Sequence, residues 1–113
     1  MLVHHATLER LLPSIHATGL DPRRSKTKRR AVYLHTAGMS TWAMLHAVRR
    51  HGGRIEEVCI IDVDMPRSWL RRTGKRGLWY CQQVITPDRF RGIRGFASMS
   101  VSPLEEVSCR RTV

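Results

Sequence analysis

The stretch Val58-Cys59-Ile60-Ile61-Asp62-Val63 decides the fold. It is apolar except for Asp62 and rich in β-branched side chains, which makes it the clearest strand of the chain. Just before it, Gly52-Gly53 breaks the chain. Ahead of that break, Ser40 can cap a helix running to about His51. Trp42, Leu45 and Val48 share one face of that helix, with Met44 alongside. Further back, Ala31-Val32-Tyr33-Leu34-His35 has the β-branched and aromatic content of a strand. On the C-terminal side, Pro66 suits the first turn of a short helix carrying Trp69 and Leu70. Leu78-Trp79-Tyr80-Cys81 reads as another strand, and Val84-Ile85 as a further one broken by Thr86-Pro87.

The N-terminal segment fits the same alternation. Residues 1–5 open as a short strand on Leu2 and Val3. Thr7 can cap a helix, with Glu9 placed to complement its dipole. Leu8, Leu11, Leu12 and Ile15 recur on one helical face. Pro13 is tolerated if the regular helix starts near Arg10, and Gly19 is a natural stop. Strands and helices interleave, so the class is α+β or α/β.

With 113 residues, one domain is expected, large enough to bury a core without disulfides or metals. Cys59, Cys81 and Cys109 are odd in number and widely spaced, and no CxxC occurs. Neither a disulfide framework nor a zinc site is signalled, and Cys59 and Cys81 read as small buried hydrophobes. No stretch reaches membrane-spanning length. The N-terminus lacks the pattern of a signal peptide, so a cytoplasmic protein is expected.

Lys and Arg total 20 against nine Asp and Glu, a net charge of +11. Internal pairing cannot neutralise that excess, so the protein presents a positive field to anions. The charge is clustered in two blocks. Arg23, Arg24, Lys26, Lys28, Arg29 and Arg30 form one; Arg71, Arg72, Lys75 and Arg76 form the other. Every basic residue except Lys26, Lys28 and Lys75 is arginine, whose guanidinium forks onto phosphate oxygens. The expected partner is a polyanion, RNA or DNA; a merely solvated basic surface is the alternative reading.

The sequence has no HExxH, GxSxG, Walker A or GxGxxG motif. The six histidines, 4, 5, 16, 35, 46 and 51, show no metal-ligand spacing with acidic support. What remains is an ordered series. His5-Ala6-Thr7 ends a strand, and Ile15 and Gly19-Leu20-Asp21-Pro22 follow. Next come a basic loop, Val32-Tyr33-Leu34-His35, the strand from Val58, Gly77-Leu78-Trp79-Tyr80, and Ile85-Thr86-Pro87-Asp88-Arg89-Phe90.

In that order and spacing, residues 2–93 resemble the ADP-ribosyltransferase superfamily. They look most like the catalytic lobe of RNA 2′-phosphotransferases, with echoes of the DNA-modifying toxin branch. The resemblance implies an α+β domain with a split, mostly antiparallel sheet, flanking helices and an NAD cleft, leaving residues 94–113 as an extension of unclear structure. It implies that His5 hydrogen-bonds an NAD ribose and that Thr7 helps hold the adenosine part. By the same match Tyr33 lies against the nicotinamide ring, while Arg29 or Arg30 meets phosphate. His5 and Tyr33 are thus the implied catalytic residues. Breaking the glycosidic bond passes through an oxocarbenium-like state, so such a site works by clamping and straining the cofactor.

Many members of that superfamily carry a late-strand glutamate. The matching stretch here, Leu78-Trp79-Tyr80-Cys81-Gln82-Gln83, holds no carboxylate, and Asp88 looks like a turn residue. Two readings stay open. Either the acceptor is already anionic, as a phosphate is, or catalysis has been lost and a silent nucleic-acid-binding module remains. The RNA 2′-phosphotransferases also have an N-terminal lobe that binds substrate phosphate, whereas this chain begins at the catalytic lobe. The expectation is therefore ADP-ribosyl transfer from NAD to a nucleic acid or its phosphate, with RNA 2′-phosphate removal as the enzymatic alternative. Taken alone, His5 reads as a strand-end hydrogen-bonding residue and Tyr33 as core. Trp42, Trp69 and Trp79 read as core or rim, and His35, His46 and His51 as structural or surface.

Overall fold

The computed structural model describes residues 1–98. The decisive run becomes strand β3, Val58–Asp64. The first strand, β1 (Leu2–Leu8), pairs with it antiparallel along its whole length, from Leu2 opposite Asp64 to Leu8 opposite Val58. The remaining strands are β2 (Val32–His35), β4 (Arg71–Arg72), β5 (Leu78–Cys81) and β6 (Phe90–Gly95). They make one six-stranded sheet in the order β4-β5-β2-β1-β3-β6, every pairing antiparallel. With helices α1 (Leu12–Thr18) and α2 (Ser40–His51), the class is α+β. No helix among the described residues is long and apolar enough to cross a membrane.

Thr7 does not cap a helix. It lies inside β1 opposite Cys59 and is 2% exposed. Pairing with β3 satisfies the backbone as far as Leu8, and a β-branched residue suits a strand. Leu8 consequently leaves the expected helical face and is buried opposite Val58. The chain then turns through a 3₁₀ segment at Glu9–Leu11 into α1, whose first turn holds Pro13 as expected.

Strand alternation sends Val3, His5 and Thr7 to one side of the sheet, with Val63, Ile61 and Cys59 opposite them. There Val3, Val63 and Ile61 pack in one core with Val32, Leu34 and Ile15 of α1. Gly19 ends α1 at φ +82°, and a Cβ there would run into the Ile85 carbonyl. That close approach lets Leu20 and Ile85 exchange two backbone hydrogen bonds of 2.9 Å. The strand expected at Val84-Ile85 is thus reduced to a single bridge.

On the other side α2 lies over β1 and β3. Its buried residues are Ala43 and Ala47, not Trp42, Leu45 and Val48, and Leu45 is 48% exposed. Small side chains at i and i+4 let the helix sit close to the sheet, which turns the expected apolar face aside. Ser40 is the first residue of α2 and makes no capping bond; a 3₁₀ turn at Ala37–Met39 leads in instead. Cys59 and Cys81 are buried free thiols. Strand β6 went unread in the sequence, and it continues past residue 93 to Gly95. Cys109 lies outside the described residues.

Candidate active site

The two halves of the sheet, β4-β5-β2 and β1-β3-β6, meet at one residue pair, His4 opposite His35. The junction is held from the side. His4 Nδ1 lies 2.8 Å from Asp62 Oδ1, which also accepts from Arg94 Nη2 at 2.7 Å. Beyond that pair β1 and β2 have no further register pairs, and the His5 side chain spans the gap to Tyr33 O at 2.8 Å.

Two cavities open at this gap, of about 260 and 230 Å³. His5, Tyr33, Arg50 and His51 line both. The larger is completed by hydroxyls and cations from β1, α1 and the basic loop, including Thr7, Ser14, Arg24 and Lys26. The smaller is aromatic and imidazole-rich, with His35, Trp42 and His46. Together they reach the ~300–1,000 Å³ range of ligand sites.

The hydrogen bonding fixes what His5 offers. A carbonyl can only accept, so Nδ1 carries the proton and Nε2 of the neutral ring is left as an acceptor. Nε2 makes no hydrogen bond among the described residues. Burial and the nearby Arg50 and His51 charges lower the His5 pKa to about 4, although the Tyr33 carbonyl pulls the other way. The ring is therefore neutral at pH 7. Burial also lowers the His35 pKa to about 3, and lowers those of His46 and His51 with help from Arg50. Arg50 Nη2 donates to His46 Nε2 at 2.5 Å, and its guanidinium stands 5.7 Å from the Tyr33 ring centre. The cleft thus combines neutral imidazoles with fixed guanidinium charge, which suits an anionic ligand bearing hydroxyls.

These shifts make the fold acid-sensitive. Between pH 6.5 and about 4, the unfolded chain binds a proton that folded His5 refuses, so stability falls as pH drops through that window. The His5 contribution is roughly 3 kcal/mol at ~1.4 kcal/mol per pKa unit, and His35 acts in the same direction down to about 3. Urea midpoints should fall steadily from pH 7 to 4, and His5→Gln should flatten part of the slope. A pH-independent midpoint over that interval would contradict the buried neutral histidines.

His5, Thr7 and Tyr33 all line the larger cavity. Arg29 and Arg30 line neither cavity; Arg29 stacks instead over the Tyr80 ring at 4.1 Å. Arg24 and Lys26 of the first basic block line the larger cavity, while Lys28 is exposed and Arg23 forks onto Asp21. In the second block, Arg71, Arg72 and Arg76 are exposed, and Lys75 reaches 4.6 Å over the Trp42 ring at the rim of the smaller cavity. Sequence reasoning missed Arg50, His46 and His51. The signal was present: Trp42, His46 and Arg50 stand at i, i+4 and i+8 on α2. Trp42 and His46 stack with centroids 4.8 Å apart.

No carboxylate among the described residues is poised as a base. Asp88 is exposed in the turn Pro87–Arg89, accepts a hydrogen bond from Thr86, and lines neither cavity. Asp21 lines the larger cavity, but its hydrogen bonds with Arg23 hold its pKa well below the usual carboxylate range. Burial pushes the Cys59 thiol up to about 11 and raises that of Cys81, so neither is a ready nucleophile. No family model matches the chain, and no curated protein matches it.

Proposed function

We propose that the protein transfers ADP-ribose from NAD to a phosphate-bearing nucleic acid, using the cleft where β1 and β2 part. One observation carries this reading: a two-lobed cleft with a neutral, acceptor-only His5 Nε2 at its neck. The lobes differ in the way the two ends and the bridge of a dinucleotide differ. Arg24 and Lys26 in the larger lobe suit a pyrophosphate, and Thr7 and Ser14 suit hydroxyl groups. Tyr33 and Trp42 in the smaller lobe supply ring surfaces for nicotinamide. His5 Nε2 can accept a hydrogen bond from a ribose hydroxyl, and Arg50 supplies charge to both lobes.

The bound dinucleotide supplies an anomeric carbon whose bond to nicotinamide is the one broken. The chain's own groups orient and shield that carbon rather than attack it. A hydroxyl acceptor would need a base, and among the described residues the one cleft carboxylate, Asp21, is engaged by Arg23. A phosphate acceptor carries its charge already, and basic side chains flank the cleft to hold it. RNA 2′-phosphate removal shares this requirement and stays the enzymatic alternative.

Tyr33 separates a cofactor role from a core role. Its ring is half-buried at the cleft, so Tyr33→Ala should weaken NAD binding in calorimetric titration while the melting temperature changes little. A core residue would instead cost ~3 kcal/mol or more on truncation. A large loss of melting temperature with unchanged NAD affinity would overturn its assignment to the cofactor.

A further inference from the structure

The half-sheet β2-β5-β4 carries a row of side chains of which the cleft uses only the first, Tyr33. Tyr33 of β2 stands in register with Tyr80 of β5, and Tyr80 with Arg71 of the edge strand β4. Residues in register project to the same face of a sheet, so the row runs from the neck of the cleft out to the sheet edge. Helix α2 lies over β1 and β3, the other half of the sheet. The two tyrosine rings are 6.3 Å apart and tilted by 41°, and each has a guanidinium over it, Arg50 on Tyr33 and Arg29 on Tyr80. Tyr80 is half-buried, whereas Arg29 and Arg71 are exposed. Tyr80 lines neither cavity, so the cofactor reading gives it no task.

We infer that this row is a track for single-stranded nucleic acid, leading its phosphate toward the cleft; the inference rests on the nucleic-acid acceptor proposed above. Aromatic rings on a sheet, interleaved with cations, suit unpaired bases. A base stacks on an aromatic ring or on a guanidinium plane, and Arg29 spread over Tyr80 offers the second surface with the first beneath it. Arg71, next in the row, meets the backbone. A duplex cannot use this row, because its bases are already stacked on each other. The track also explains why the edge strand is Arg71-Arg72: the charges repel other strand edges and attract phosphate.

The test is fluorescence anisotropy with a labelled 12-nucleotide RNA, the same sequence as DNA, and the blunt RNA duplex, at one salt concentration. Single strands should bind more tightly than the duplex. Tyr80→Leu, which keeps apolar volume under Arg29, should weaken single-strand binding at least about fivefold, the low end for one base–aromatic stack. Tyr80→Phe should bind as the wild type does, and Arg71→Ala should reduce the salt slope by about one contact. NAD affinity should be the same in all three variants. Wild-type single-strand affinity in Tyr80→Leu with an intact melting curve would overturn the track, as would duplex binding equal to or tighter than single-strand binding. Loss of single-strand binding in Tyr80→Leu by a protein that never consumes NAD would keep the track and remove the transferase reading.

Discussion

Nucleic-acid affinity should fall about a thousandfold between ~50 and ~200 mM salt, the response expected of about six phosphate contacts. The two basic blocks can supply that many free cations. Lys28, Arg30, Arg71, Arg72, Lys75 and Arg76 are all exposed, line neither cavity and make no ion pair among the described residues. Arg23 is different, because the Asp21 carboxylate already occupies its fork. Each free cation that meets a phosphate releases condensed counterions, and the entropy of that release shrinks as salt rises. Arg23→Ala should therefore change the slope less than Arg72→Ala does. A flat salt response, or no binding at low salt, would remove nucleic acid as the partner.

The second large effect concerns the acceptor. Turnover on a 5′- or 2′-phosphorylated RNA should drop by about a hundredfold or more when the phosphate is removed, because no carboxylate among the described residues is placed to activate a neutral hydroxyl. Asp88→Asn should leave turnover on the phosphorylated RNA within about twofold, whereas loss of a true general base costs ~10²–10⁴. The ground is its placement: an exposed carboxylate in the turn Pro87–Arg89, engaged by Thr86. Equal turnover on both RNAs, with an inactive Asp88→Asn, would show that a base is used after all.

Much of the sheet was legible where side chains declare their environment. Val58–Asp64, Val32–His35 and Leu78–Cys81 are short β-branched or aromatic runs, and they became strands. Phe90–Gly95 was not legible. The sequence FRGIRG lacks apolar alternation, and the strand depends on tertiary fit: Gly92 sits opposite Asp62, where a Cβ would meet the carboxylate at 3.2 Å, next to an irregularity at Asp62/Val63. Thr7 misled because a hydroxyl before a leucine-rich segment is a cap signal in sequence, and only pairing with β3 makes it a strand residue. The buried face of α2 was hidden by size, since Ala43 and Ala47 look less core-forming than Trp42 and Leu45. At the cleft, His5 and Tyr33 were singled out by the resemblance alone, and the structure places both in the cavity linings. Arg50 was not singled out, because its place depends on where the C-terminal end of α2 comes to lie beside His5 and Tyr33, which no local pattern encodes.

The most direct test of the central claim is nicotinamide release from NAD with a phosphorylated single-stranded RNA, measured for the wild type, His5→Ala and His5→Gln. Wild-type protein should release nicotinamide in proportion to RNA consumed. His5→Ala should lose activity and NAD affinity while still binding the RNA, because the acceptor nitrogen at the neck of the cleft is gone. His5→Gln should keep part of both, since its amide oxygen can still accept. NAD consumption unchanged in His5→Ala, or no consumption by the wild type with any acceptor, would contradict the account and leave a nucleic-acid-binding module.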